Sequence, residues 1–116
     1  MATSDAERDE RIANDILVDC YDEDEESMGW YYYLDETLNF PFTARCIKKR
    51  AVSPLKVGDE AQVVAMAPEE ECEHGEMFVF IQQGKKKLAV PLAQLQPLEA
   101  DEKTIEAVGD WHYWKH

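Results

Sequence analysis

Two runs of acidic residues dominate the chemistry of this chain, because closely spaced carboxylates can share one bound cation. The first run is DEDEE at residues 22–26, and the second is PEEECEHGE at residues 68–76. A shorter group, Asp35, Glu36 and Asn39, follows the aromatic run WYYYL. Calcium takes about six to eight oxygen ligands from carboxylates, amides, carbonyls and water. The residue types therefore predict sites for a hard cation, with Ca²⁺ as the first choice.

Neither run has the spacing of an EF-hand calcium loop. Counted from Asp22, the sixth position should be glycine and is Ser27, and the twelfth should be glutamate and is Tyr33. The second run lies between two predicted strands, where a loop can fold carboxylates and its own carbonyls around one ion. The candidate ligands of that loop are Glu69, Glu70, Glu71 and Glu73. If the aromatic run is helical, its last free carbonyls add neutral oxygens beside Asp35.

Other kinds of site have weaker support from residue spacing. Cys72 and His74 are closer together than the usual ligands of a zinc site, and no second pair follows them. His112 and His116 have the spacing of a helical metal pair, but they lie at the chain end, where helices fray. The sequence contains no nucleophile motif, phosphate-binding glycine loop or dinucleotide fingerprint. We therefore expect a protein without catalytic activity.

The overall charge restricts the classes of partner. The 116 residues carry a formal net charge of −13, and residues 1–42 hold 13 acidic against 2 basic side chains. Such a charge repels nucleic acid and attracts calcium ions or a basic protein partner. The sequence shows neither a signal-peptide pattern nor an apolar run of membrane-spanning length, and its three cysteines lack motif spacing. We expect a cytoplasmic monomer with no membrane partner and reduced thiols.

The elements that must position these acids are predicted to form an α+β fold. A helix is expected over residues 5–18, with Ser4 as its N-cap. Apolar residues recur at helical spacing from Met28 to Leu38, which favours a second helix, although the alternation from Trp30 to Leu34 also permits a strand. The aromatic side chains, Trp30 among them, are expected to form core and to hold the acids at its rim.

From residue 42 onward the sequence pattern changes from that of helices to that of strands. Four runs rich in β-branched and aromatic residues predict strands, and VPLAQLQPL resembles the end of an SH3-like barrel, where a helical turn precedes a last short strand. A closing helix follows, capped by Ala100 or Asp101. We therefore predict one domain, residues 1–116. It comprises an acidic helical segment (1–41), a small SH3-like antiparallel β-barrel (42–98) and a C-terminal helix (99–116).

Several of these runs together resemble a known family, the small acidic CcbP-type calcium-binding proteins of cyanobacteria. The matching runs are, in order, MGWYYYLDETLNFPFTARC, SPLKVGDE, MAPEEEC with EMFVFI after it, LAVPLAQLQPL and DWHYW. The resemblance implies a cytoplasmic protein that binds calcium without EF-hands, as a buffer or in signalling. It implies ligand regions in the tract that contains Asp22 and Glu26, at Asp35 and Glu36, and in the PEEEC loop. An acidic module that binds a basic partner is the alternative function.

Overall fold

Helices from both ends of the chain pack on one antiparallel sheet in this computed structural model, which describes residues 5–72 and 75–115. The helices are α1 (Asp5–Arg11), which continues as a π-helical turn (Ile12–Ile16), α2 (Glu23–Thr37) and α3 (Glu102–Lys115). The strands are β1 (Phe42–Cys46), β2 (Glu60–Met66), β3 (Phe78–Gln83), β4 (Lys86–Pro91) and β5 (Leu95–Glu99). Within these residue ranges, no helix is long and apolar enough to cross a membrane.

The aromatic run is helical, as favoured from its spacing, and it forms the middle of α2. Asp22 begins the helix, because its side chain accepts a hydrogen bond from the backbone N–H of Glu25 at 2.9 Å. The face that α2 buries runs through Ser27, Trp30 and Leu34. The first helical segment ends at Ile16 rather than at residue 18, and its expected cap, Ser4, lies outside the described residues.

The sheet has the order β4-β3-β2-β1-β5, and all neighbouring strands are antiparallel. The predicted α+β class and the expected short helical turn before β5, Leu92–Gln94, are confirmed. The predicted SH3-like barrel is not confirmed. β4 and β5 are the two edges of the sheet, and no pairing joins them in the part of the chain that the structure describes. Strand patterns predict each strand, but closure depends on how far the whole sheet coils.

The three tryptophans of the chain form one cluster, in which two are core residues and the third packs against them. Trp30 and Trp111 are fully buried, and their ring centroids lie 5.1 Å apart in an edge-to-face arrangement. Trp114 lies 5.5 Å from Trp30 and 5.8 Å from Trp111. Such pairs stabilise a core by about 0.5–1.5 kcal/mol each beyond the area they bury. The expected core role of Trp30 is therefore observed, and this tryptophan cluster joins α2 to α3.

A buried ion pair fastens α1 to α3. The Asp110 side chain is fully buried and receives two hydrogen bonds from the Arg11 guanidinium, each 2.8 Å long. Arg8 Nε lies 3.5 Å from the same carboxylate. Hydrogen bonding to Asp110 raises the pKa of Arg11, which keeps the guanidinium charged. Since a buried carboxylate is stable only when paired, this contact fixes the position of the N-terminal helix.

Gly29 allows α2 to approach the π-helical turn that follows α1. A Cβ atom at this position would lie 2.7 Å from the carbonyl oxygen of Ile16 and 3.2 Å from Sγ of Cys20. The first distance is shorter than real Cβ atoms tolerate. The glycine in MGWYYYL therefore allows two helical segments to pack closely. This packing positions the first turn of α2 beside the connection between β2 and β3, which carries the second acidic run.

Candidate metal centre

The second acidic run lies in the connection between β2 and β3, called the acidic loop from here on. Helix α2 contacts this loop at two points. The Tyr31 hydroxyl donates a hydrogen bond to the carbonyl oxygen of Ala67 at 2.9 Å. One helical turn earlier, Ser27 Oγ accepts a hydrogen bond from the backbone N–H of Gly75, also at 2.9 Å. The helix therefore contacts the beginning and the end of the loop, and it does so through neutral groups.

Cys72 anchors the middle of the loop to the hydrophobic core. Its side chain is fully buried, and Sγ accepts a hydrogen bond from the backbone N–H of Phe78 at 3.3 Å. Burial raises the pKa of this thiol to about 11, and Glu71 adds to the increase. Its sulfur is engaged with the Phe78 backbone and shielded from solvent. Cys72 therefore does not favour the zinc alternative, and His74 lies outside the described residues.

Three consecutive carboxylates are left on the solvent side of this anchored loop. Glu69, Glu70 and Glu71 belong to a 3-10 helical turn, and all three are exposed. The Tyr32 hydroxyl donates a hydrogen bond to Oε1 of Glu69 at 2.9 Å. Among the described residues, none of the three forms an ion pair with lysine or arginine. Within the part of the chain that the structure describes, lysine and arginine thus leave these three charges to solvent and to any cation that binds there.

The structure brings Asp35 close to this loop, although the sequence suggested two separate clusters. The pKa of the Tyr31 hydroxyl is raised, first by burial and then by nearby negative charges that include Asp35, Glu69 and Glu70. All three carboxylates therefore lie near enough to this hydroxyl for their charges to act on it. Asp35 is exposed one turn after Tyr31 on α2, which places it on the side of the helix that faces the loop. Glu36, the next residue, is also exposed.

The side chains of the first acidic run, residues 22–26, lie in different places in the structure. The Asp22 side chain caps α2. Glu26 lies near Cys20, whose pKa is raised by burial first and then by Glu25 and Glu26. Glu23, which was not among the predicted ligands, lies beside the loop, with Oε1 3.6 Å from the position that a Cβ atom of Gly75 would take. Its sequence position, one helical turn before the buried Ser27, is the signal that could have identified it.

Asn39 is engaged at the start of α3. Its side-chain amide donates a hydrogen bond to Oδ2 of Asp101 at 3.2 Å, and its backbone N–H donates to Oγ1 of Thr104 at 2.9 Å. Asp101 caps α3, as expected, by accepting from the Thr104 N–H at 2.8 Å. Hydrogen bonding to Thr104, and to a smaller extent to Asn39, lowers the pKa of Asp101. Asn39 therefore supports the cap, and the predicted ligand Glu73 lies outside the described residues.

Glu76, at the far end of the loop, differs from Glu69, Glu70 and Glu71 because it is paired with basic residues. Oε1 accepts a hydrogen bond from Arg50 Nη1 at 3.0 Å, and Oε2 lies 3.2 Å from Lys115 Nζ. Lys115 Nζ also donates to the carbonyl oxygen of Gly75 at 2.7 Å. Its ammonium group lies 5.7 Å from the centre of the Trp111 ring. These contacts connect the acidic loop to the last turn of α3.

The oxygen donors around the loop suit a hard cation, but the described side chains do not lie close enough together to form a site. In residues 5–72 and 75–115, no three His, Cys, Asp or Glu side chains are near enough to one another to hold a metal ion. The groups that are present are carboxylates and backbone carbonyls, which calcium prefers, and the Cys72 thiol beside them is buried. A site made from three of the described side chains would therefore require them to move.

Comparison with known proteins agrees with this donor chemistry. The family described as calcium binding of the CcbP type matches residues 10–115. The fold is similar to the crystal structure of Anabaena CcbP, at 36% identity over 98% of this chain and 93% of that chain, with a TM-score of 0.84. It is equally similar to a calcium-binding protein in its calcium-binding form, at 37% identity over 99% and 95% of the two chains, with a TM-score of 0.84. No curated protein matches the chain. The chain belongs to the CcbP family of calcium-binding proteins.

Proposed function

We propose that this protein is a non-catalytic, monomeric calcium-binding protein of the cytoplasm that uses the acidic loop and the facing side of α2. The observation that carries the proposal is the contrast between the two sides of the loop. Neutral contacts from Tyr31 and Cys72 hold its base, whereas the carboxylates of Glu69, Glu70 and Glu71 are exposed and lack a basic partner in the described chain. With Asp35 beside them, these groups offer the oxygen ligands that calcium needs.

Calcium binding is proposed to be coupled to a local rearrangement. Several like charges on one short loop repel one another, and a bound divalent cation removes that repulsion. Because the carboxylates of the described residues are not gathered in advance, part of the binding free energy must bring them together. The loop contacts α2 through Ser27 and α3 through Lys115, which gives binding a route to both helices. This route supports a sensor more than a simple buffer.

Calorimetric titration of chelator-stripped protein with calcium, at physiological salt and in the presence of magnesium, tests the proposal. We expect saturable binding with a small integer stoichiometry, because a built site prefers calcium by ligand number and flexibility. Magnesium alone should compete only weakly. Heat that does not saturate, that salt abolishes and that magnesium reproduces would contradict the proposal. In that case the acids would be a solvated surface, and a basic protein partner would be the function to test.

Tryptophan emission provides an independent measurement of the same event. All three tryptophans form one cluster, and Lys115 connects that cluster to the loop by contacting both the Trp111 ring and Gly75. We expect calcium to change the emission intensity or wavelength with the same midpoint as the calorimetric titration, and a chelator to restore the original spectrum. Unchanged emission at saturating calcium would show that binding does not reach the core.

A further inference from the structure

A lysine from the last turn of α3 occupies oxygens at the far end of the acidic loop. Its ammonium group contacts the carbonyl oxygen of Gly75 and Oε2 of Glu76, at 2.7 and 3.2 Å. The other carboxylate oxygen of Glu76 receives the Arg50 guanidinium at 3.0 Å. The Glu76 side chain is only 19% exposed, so these cations are its main neighbours. The protein therefore supplies its own positive charge to this end of the loop.

The negative charges at the two ends of the loop differ in whether basic side chains of the protein neutralise them. Glu69 to Glu71 have no basic partner within the described part of the chain, whereas Glu76 has two. Glu23 approaches the same end from α2, beside Gly75. A carbonyl and two carboxylates of this kind are ligands that calcium prefers. The Lys115 ammonium group thus takes up oxygens that a calcium ion would otherwise attract.

We propose that Lys115 is an internal competitor that sets the calcium affinity of the loop. This inference rests on the proposed function, because it names the residue that limits binding at the same loop. Calcium can reach the Gly75 carbonyl and Glu76 only in molecules from which Lys115 has withdrawn. The apparent affinity is therefore lowered by the fraction of molecules in which these oxygens are free. Withdrawal also releases the last turn of α3, which makes that helix the first element to respond.

A lysine that only adds positive charge to the neighbourhood would behave differently. Its influence would act through solvent, where the screening length is about 8 Å at physiological salt, and the other lysine of α3 would share it to a smaller extent. Lys103 provides the matched control, because it lies in the first turn of the same helix, is exposed and has the same charge. Replacing either lysine with glutamine changes the net charge by the same amount.

The test is calorimetric titration of the wild type, K115Q and K103Q with calcium at physiological salt, after thermal unfolding has shown that each is folded. We expect K115Q to bind calcium at least about threefold more tightly than the wild type, because the competing cation is gone. K103Q should change the affinity less than about twofold, because screening weakens its effect. K115M removes the donor to Gly75 as well as the charge, and it should tighten binding at least as much as K115Q.

Equal affinities of K115Q and K103Q, or weaker binding by K115Q and K115M, would overturn the competitor role. If the wild type still binds calcium saturably in that experiment, the proposed function stands and only this inference fails. A wild type without saturable binding contradicts both. A change in the NMR chemical shifts of the Lys115 side chain when calcium is added, with the same midpoint as the calorimetric titration, would support the displacement directly. Shifts that calcium leaves unchanged would overturn it.

Discussion

Replacement of Glu69, Glu70 and Glu71 together by glutamine is expected to weaken calcium binding at least about tenfold, because ligand charge largely sets the affinity of such sites. Glutamine keeps the size and the hydrogen-bonding oxygen of each side chain but removes the three charges. The fold should remain intact, since all three side chains are exposed and the loop is anchored by Tyr31 and Cys72. Calorimetry gives the affinity, and thermal unfolding verifies the fold.

A matched variant separates ligand loss from loss of general charge. Glu60, Glu99 and Glu102 are also exposed, and none lies in the acidic loop. Their joint replacement by glutamine lowers the negative charge by the same amount, and we expect less than about a twofold change in affinity, because distant surface charges are screened. Equal losses in the two triple variants would show that the loop is not the binding site.

Replacement of Asp110 with alanine is expected to lower the free energy of unfolding by about 3 kcal/mol, because breaking a buried ion pair leaves its partners without a counter-charge. The carboxylate is fully buried and makes two 2.8 Å hydrogen bonds with Arg11. For a chain of this size, the melting temperature should fall by more than about 10 °C. Thermal and urea-induced unfolding, followed by circular dichroism, would measure the loss.

Glu106 serves as the control for that experiment. Its Oε1 atom lies 3.6 Å from Arg11 Nε, but its side chain is 41% exposed. Partly exposed ion pairs contribute little, so Glu106→Ala should cost less than about 1 kcal/mol. Similar losses in the two variants would mean that the buried pair is not what fastens α1 to α3.

The individual elements could be predicted because their signals are local. Asp101 lies three residues before Thr104, whose N–H it accepts, and this spacing identifies a helix start. The helical prediction for α2 was right, and the face that the helix buries runs through Ser27, Trp30 and Leu34. Trp30 is fully buried, as expected, whereas Tyr31 is only partly buried. The tyrosine hydroxyl instead reaches Ala67, since it needs a partner.

The organisation of the site depends on contacts between distant parts of the chain, and no local pattern encodes them. Asp35 lies on the loop side of α2 because Tyr31 and Ser27 of that helix contact Ala67 and Gly75. Arg50 and Lys115 are far from Glu76 in the sequence, so counts of charge per segment place them outside the acidic run. Asn39 looked like a ligand because of its neighbours, whereas its hydrogen bonds are to the cap of α3. Whether the predicted ligands bind calcium stays a prediction that the variants above test.

The close approach of Gly29 to the backbone of Ile16 limits which substitutions this protein can accept. A side chain there would meet the Ile16 backbone at 2.7 Å, and a backbone atom cannot turn aside as a flexible side chain can. The spacing between α2 and the preceding turn therefore cannot widen in small steps through successive substitutions. Position 29 should be the least tolerant site of the first 40 residues in a saturation library selected for folding. Any replacement that survives would require the whole N-terminal segment to shift at once.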